Sequence, residues 1–214
     1  MMTSSTLPTD YQTFIATSRY CRWLPEDGRR ETWTETVDRF CDNILERVTL
    51  TKEEIDECRD AVINLEVMPS MRAIMTAGKA ADRDNTSIYN CSYLAVDSTR
   101  AFDEAMFILL CGTGVGFSVE KKYTEKLPQV PSEFRENGDV IVVPDSKEGW
   151  ARSFRKLVAL LYTGDIPEWD TSKVRPAGSR LETFGGRASG AGPLEQLFSY
   201  TIDVFKEASG RQLT

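Results

Sequence analysis

Apolar residues in the first third of the chain recur at helical steps. Trp33, Val37, Phe40, Cys41, Ile44, Leu45 and Val48 fall three or four apart, which predicts one apolar helix face from about Arg30 to Val48. Thr51 followed three residues later by Glu54 has the form of a capping box. It opens a second predicted helix with Ile55, Cys58, Val62 and Ile63 turned inward. Beyond Pro69 the period changes. A short segment, Met71 to Ala77, and a polar stretch, Gly78 to Thr86, lead into a strand-like run from Ser87 to Val96. A helix is expected from Thr99 to Leu110, then a strand over Val115–Glu120. Lys121 to Gly138, rich in charge and proline, reads as a loop. The β-branched run Asp139–Val143 predicts a strand. A helix follows over Lys147–Tyr162, carrying Trp150, Phe154, Leu157, Val158 and Leu161. Thr171 to Arg175 is expected to be a further strand, ending at Pro176. Pro193, favoured in a first helical turn, introduces a last helix from Leu194 to Ala208.

Helices followed by strands alternating with helices predict an α/β protein: an N-terminal helical region, residues 1–66, then an α/β region, residues 67–214. A length of 214 residues suits one substantial core or two small ones. The net charge of −7 argues against a direct nucleic-acid partner, which needs a basic face. The start, Met-Met-Thr-Ser-Ser-Thr-Leu-Pro, lacks the basic and apolar runs of a leader peptide. The apolar run Ala105–Cys111 is too short to cross a bilayer, so no membrane partner and a cytoplasmic location are expected. The chain has no histidine, and its five cysteines form no CxxC pair, so no metal site is expected. Cys41 and Cys58, on the predicted apolar faces, read as small buried hydrophobes.

Three features remain as candidate chemistry. Cys91 lies within the strand-like run, with Asn90 and Ser92 on the face opposite Cys91 and Tyr89. Read alone, it is either a packed thiol or a reactive one. Gly112, Gly114 and Gly116 lack side chains, so a ligand or another backbone can come close. Their spacing is neither a dinucleotide fingerprint nor a Walker loop, and a structural turn is the competing reading. Gly185 to Gly192, ahead of the last helix, reads either as an anion site at a helix N-terminus or as a flexible loop.

Together these stretches resemble the front part of an adenosylcobalamin-dependent (class II, monomeric-type) ribonucleoside-triphosphate reductase. The matching segments are Gly28–Arg39 (GRRETWTETVDR), Met68–Ala73 (MPSMRA), Asn90-Cys91, Gly114–Ser118 (GVGFS), Val143–Trp150 (VPDSKEGW), Val174–Ser179 (VRPAGS) and Phe184–Gly190 (FGGRASG), in family order. The resemblance implies the first part of a ten-stranded reductase α/β barrel and replacement of a ribose 2′-hydroxyl by hydrogen through thiyl-radical chemistry. Cys91 would then be one of the redox-active cysteine pair. Substrate would be bound by Ser70, Asn90, Cys91 and Gly114. Residues Arg175 to Gly186 would correspond to a loop that relays effector identity. Adenosylcobalamin would be the cofactor, bound mainly by a C-terminal remainder. A ribonucleoside triphosphate, that remainder and a thioredoxin-like reductant would be the partners.

Two departures follow. The thiyl cysteine, the partner cysteine and the catalytic asparagine and glutamate of such enzymes are expected beyond Thr214, so the chain alone is expected to be incomplete and inactive. Only about two dozen residues separate Val119 from Val143, where the monomeric branch often has a larger insertion that binds the effector. Compact members of the kind viruses encode fit this shorter connection. The alternatives are a non-catalytic nucleotide-binding or regulatory module and an inactive truncated fragment.

Overall fold

The computed structural model describes residues 7–181 and 186–213. The chain divides into two compact units, Met1–Asn90 and Cys91–Thr214.

The first unit is helical. Helix α1 (Asp10–Arg19) leads to a two-residue antiparallel pair, β1 (Trp23–Leu24) and β2 (Arg29–Arg30). Helix α2 (Trp33–Ile44) then runs into one 3₁₀ turn, and α3 (Lys52–Ile63) follows. Both α2 and α3 open with complete capping boxes, Thr32 with Glu35 and Thr51 with Glu54. The first was missed in the sequence because the helix was expected to begin at about Arg30, three residues earlier. In α2, Trp33, Val37, Phe40 and Cys41 are buried, as their spacing predicts. In α3 only Val62 is fully buried and Cys58 is exposed. The inward expectation for Cys58 therefore fails. It sits one position outside a stripe that only Val62 carries to full burial.

Two short helices, α4 (Met71–Thr76), which is too brief for its period to be read, and α5 (Lys79–Arg83), inside the stretch read as polar, complete the unit. Ala73, Ile74 and Ala77 join the core of Trp33, Val37 and Phe40, which carries the compact unit past the boundary expected at residues 66–67. A buried ion pair fastens this corner. Arg39 Nε and Nη2 donate to the two oxygens of Glu31 at 2.8 and 2.9 Å, while Nη1 donates to the carbonyls of Ile74 and Ala77, both at 2.9 Å. Burial pushes the Glu31 carboxyl up, but its bonds from Arg39, the Arg22 N–H and Thr36 outweigh that and hold it below its ordinary range.

The second unit is α/β. It runs β3 (Cys91–Ala95), α6 (Arg100–Leu110), β4 (Gly114–Ser118), α7 (Lys121–Thr124), β5 (Arg135–Val142), α8 (Lys147–Tyr162), β6 (Asp165–Asp170) and α9 (Gly192–Glu207). The pairs β3–β4 and β5–β6 are both parallel, each with a helix in its crossover. The core around β5–β6 is built from Ile141, Val143, Phe154, Leu157, Leu161 and Phe198, which is 0% exposed, and a smaller cluster of Val96, Ala101 and Leu127 lies by β3. Each pair is a separate two-stranded sheet, so the described residues do not by themselves form a barrel wall.

The strand expected at Thr171–Arg175 is not formed. The strand is Asp165–Asp170, whose two terminal aspartates and internal Pro167 mask it in the sequence. Pro167 has no N–H to give, and it lies opposite a bulge of β5 between Glu136 and Val140, where the ladder is already interrupted. The presumed loop after Lys121 contains α7 and the first half of β5. Gly149, in the first turn of α8, has no room for a side chain: a Cβ there would lie 2.7 Å from Pro144 Cβ and 2.8 Å from its carbonyl.

Candidate functional site

Strands β3 and β4 pair in register, with Cys91 opposite Gly114, Ser92 opposite Val115 and Tyr93 opposite Gly116. In a parallel ladder, partners point to the same face. One face therefore carries Cys91 and Tyr93 beside two glycines, and both side chains are exposed. The other face carries half-buried Ser92 and Leu94, and Leu94 packs with Val96 and Ala101 beneath α6. The thiol thus lies on the open side of the sheet, not in the core. Ser92 Oγ donates to the Gly114 carbonyl at 3.1 Å and ties the two strands together beside Cys91.

The glycines differ in purpose. Gly112 has φ +81° and makes the turn out of α6, a conformation that favours glycine. Gly114 and Gly116 are extended strand residues with no positive φ. A Cβ built on Gly116 would meet only the Ser92 carbonyl oxygen, at an ordinary 3.6 Å. Neither packing nor conformation within the chain demands glycine at 116. What its absent side chain provides is a bare patch next to Tyr93 and one step from Cys91.

Of the residues expected at the site, Cys91 and Gly114 are brought together as cross-strand partners. Asn90 is exposed and immediately precedes β3. Ser70 is exposed and precedes α4 as its N-cap residue, yet its hydroxyl makes no capping bond. Ser70 and Asn90 belong to the first unit, and Cys91 and Gly114 to the second. The relay loop of residues 175–186 and the run from Gly185 to Gly192 fall partly outside the described residues. Where described, the segment is a hairpin: Gly178 N–H donates to the Ala188 carbonyl at 2.9 Å and Ala188 N–H to the Ser179 carbonyl at 2.8 Å. The N-terminus of α9 has Ala191 as its cap residue and no side-chain capping bond.

Sequence reasoning missed two features of this unit. Tyr93 shares the thiol's face, which strand alternation from Cys91 signals. Cys111, fully buried at the end of α6, lies 3.1 Å from Lys147 Nζ, and nothing in the sequence links two residues so far apart. Between α6 and α8 a cavity of about 400 Å³ is rimmed by Arg100, Arg152, Arg155, Asp103, Glu104 and Glu148. No helix among the described residues is long and apolar enough to cross a membrane.

The fold matches part of the fold of a B12-dependent, class II ribonucleotide reductase. A crystal structure of one superimposes with a TM-score of 0.81 at 23% identity, over 94% of this chain and 38% of that one. Residues 121–205 match the family described as the insertion domain of B12-dependent ribonucleotide reductase. The adenosylcobalamin-dependent ribonucleoside-triphosphate reductase of Lactobacillus helveticus is 25% identical over 271 aligned positions, covering 91% of this chain and 36% of that protein. A putative enzyme of the same name from Mycobacterium phage D29 is 27% identical over 89% of the chain, and one from Euglena gracilis 26% over 88%. The resemblance read from the sequence is borne out. The chain spans about a third of the length of these curated relatives. The 271 aligned positions exceed the chain's 214 residues, so the Lactobacillus enzyme has stretches with no counterpart here. The segment expected to lack an insertion is nevertheless the one that matches the insertion-domain family, across α7, β5, α8, β6 and most of α9.

Proposed function

We propose that this chain is the N-terminal segment of an adenosylcobalamin-dependent ribonucleotide reductase, contributing the first strands of its α/β barrel, and that Cys91 is one member of the redox-active cysteine pair. The observation that carries this reading is the exposed Cys91 thiol beside Gly114 and Gly116, on a sheet face that nothing in the described chain covers. A reacting thiol must meet substrate, so exposure separates it from the buried Cys21, Cys41 and Cys111, and its place on β3 beside the glycines separates it from the exposed Cys58 of α3.

The substrate is a ribonucleoside triphosphate, as the names of the relatives indicate. Its 2′-hydroxyl leaves as water and is replaced by hydrogen. The two electrons and two protons come from Cys91 and a partner cysteine, which join in a disulfide that a thioredoxin-type protein reduces again. The partner cysteine belongs to the two thirds of the enzyme outside this chain. Bare strand positions let the sugar approach the thiol, while Asn90 and Ser70 are proposed as further substrate contacts.

Adenosylcobalamin, when bound to the whole enzyme, supplies the radical. The cavity between α6 and α8, about 400 Å³, is too small for a corrin, so the cofactor's site is proposed to lie mainly in the remainder. A cytoplasmic setting, where such thiols stay reduced, suits the reaction.

The test is to isolate the tagged chain gently from its native cells, identify what completes it, and measure deoxynucleotide formation by the assembly with and without Cys91→Ser. The expected result is a stoichiometric polypeptide with the missing catalytic residues, and turnover that falls to background in a variant whose fold is unchanged. Retained turnover in Cys91→Ser sinks the proposed role. A chain that co-purifies with nothing but binds nucleotide points instead to a non-catalytic regulatory module.

A further inference from the structure

The turn that leads into β4 is held by two nucleophiles that the proposed reduction does not use. Cys111, 0% exposed, ends α6, and Lys147 is the first residue of α8. Lys147 Nζ lies 3.1 Å from Cys111 Sγ, and its ammonium is further fixed 4.8 Å over the Phe107 ring. Held atoms at this separation are in near-attack range, where proximity replaces an encounter from solution. Lys147 is half-buried, so its stem leads from solvent to a sulfur that is otherwise enclosed.

We infer that Cys111 and Lys147 form a peroxide-triggered, thiol-reversible covalent cross-link, a sulfur–nitrogen bond that joins the end of α6 to the start of α8. Hydrogen peroxide oxidises the Cys111 thiol by two electrons to the sulfenic acid and is itself reduced to water. The Lys147 ammonium releases one proton to solvent, and its nitrogen attacks the sulfur. The S–N bond forms as the S–O bond breaks, and the hydroxide departs as water with the second proton of nitrogen. A small dithiol such as dithiothreitol reverses the link by attacking sulfur, which frees the amine and leaves a mixed disulfide that its second thiol resolves.

Burial gives the reaction its selectivity. A bulky cellular thiol does not reach the enclosed sulfur, whereas the lysine nitrogen is already in contact. The link would fix the turn from Cys111 to Gly114, and Gly114 is the cross-strand partner of Cys91. The inference stands independently of the reductase reading, because it needs neither substrate nor cofactor.

The test treats the folded full chain with hydrogen peroxide, blocks remaining thiols, and maps peptides by mass spectrometry. The expected product is a joined pair of peptides containing Cys111 and Lys147, lighter by two hydrogen atoms than their sum and released by dithiothreitol. Lys147→Arg keeps the charge over Phe107 but lacks a nucleophilic amine. In that variant the joined peptide is expected to vanish and Cys111 to pass to sulfinic acid. Wild-type Cys111 recovered only as free thiol or sulfinic acid, with Lys147 unmodified, would overturn the inference.

Discussion

The two units are stabilised in opposite ways. The first closes on itself. Its three longer helices, α1, α2 and α3, are capped by side chains, and a deeply buried charge pair, Glu31 with Arg39, is saturated by backbone and hydroxyl partners. The second buries a larger apolar core yet leaves two separate parallel sheets with open faces. Val140 and Val142 on β5 are 45% and 46% exposed, and Tyr93 and Phe117 on the other sheet are both 64% exposed. Parallel strands are normally covered on both faces, so such surface is where other material is expected to bind. The unit that carries the thiol is the one with open sheet faces.

The largest expected effect is in the self-contained unit. Arg39→Met leaves Glu31 buried without its partner and strips two carbonyls at the end of α4 of their donor. A loss of about 3–5 kcal/mol is expected, read from chemical denaturation followed by Trp33 fluorescence. A loss no larger than that of an exposed pair would erase the contrast drawn here. In the second unit the sign reverses. Gly116→Ala fills a strand position that packing leaves open, and should raise stability by about 0.5–1 kcal/mol. The same variant should weaken nucleotide binding by the assembled protein, measured by calorimetry. A destabilised Gly116→Ala chain would mean the glycine serves the fold.

The smallest effect is electrostatic. The Arg29 guanidinium and the Thr32 N–H hold the Glu35 carboxyl at about 2, against an ordinary 4.5. Because the folded value is depressed, the stability it contributes is present in full above about pH 4.5 and is lost as pH falls toward 2. Glu35→Gln should flatten that part of the acid titration of helicity in the first unit. The side chain is 40% exposed, so the change is small.

Much of this was legible from the order of residues. The face of α2, the capping box at Thr51 and the exact span of α8 follow from local chemistry, because a helix is read from neighbours three and four apart. The strand of Cys91 follows only in part, because Asn85–Ile88 form a 3₁₀ turn and the strand is confined to Cys91–Ala95. Strand β6 was not legible, since Asp165, Pro167 and Asp170 argue against a strand until β5 is seen beside it with its bulge opposite the proline. Cys58 was misplaced because periodicity tells which residues share a face but not how far a neighbouring helix covers it. The site divides along the same line. Cys91 and the glycines could be singled out as chemistry-bearing, but the residues alone favoured a packed thiol, and only the family resemblance favoured a reactive one.

What the sequence determined by itself was the local periods, the caps and the ordered set of short motifs, all of which act over a few residues. Only the tertiary structure decided that Cys91 faces outward opposite Gly114, that Lys147 meets Cys111 across 36 residues, and that Arg39 gathers the carbonyls of α4. Those depend on which surfaces meet when distant segments pack, and burial is a property of the pair of surfaces, not of either alone.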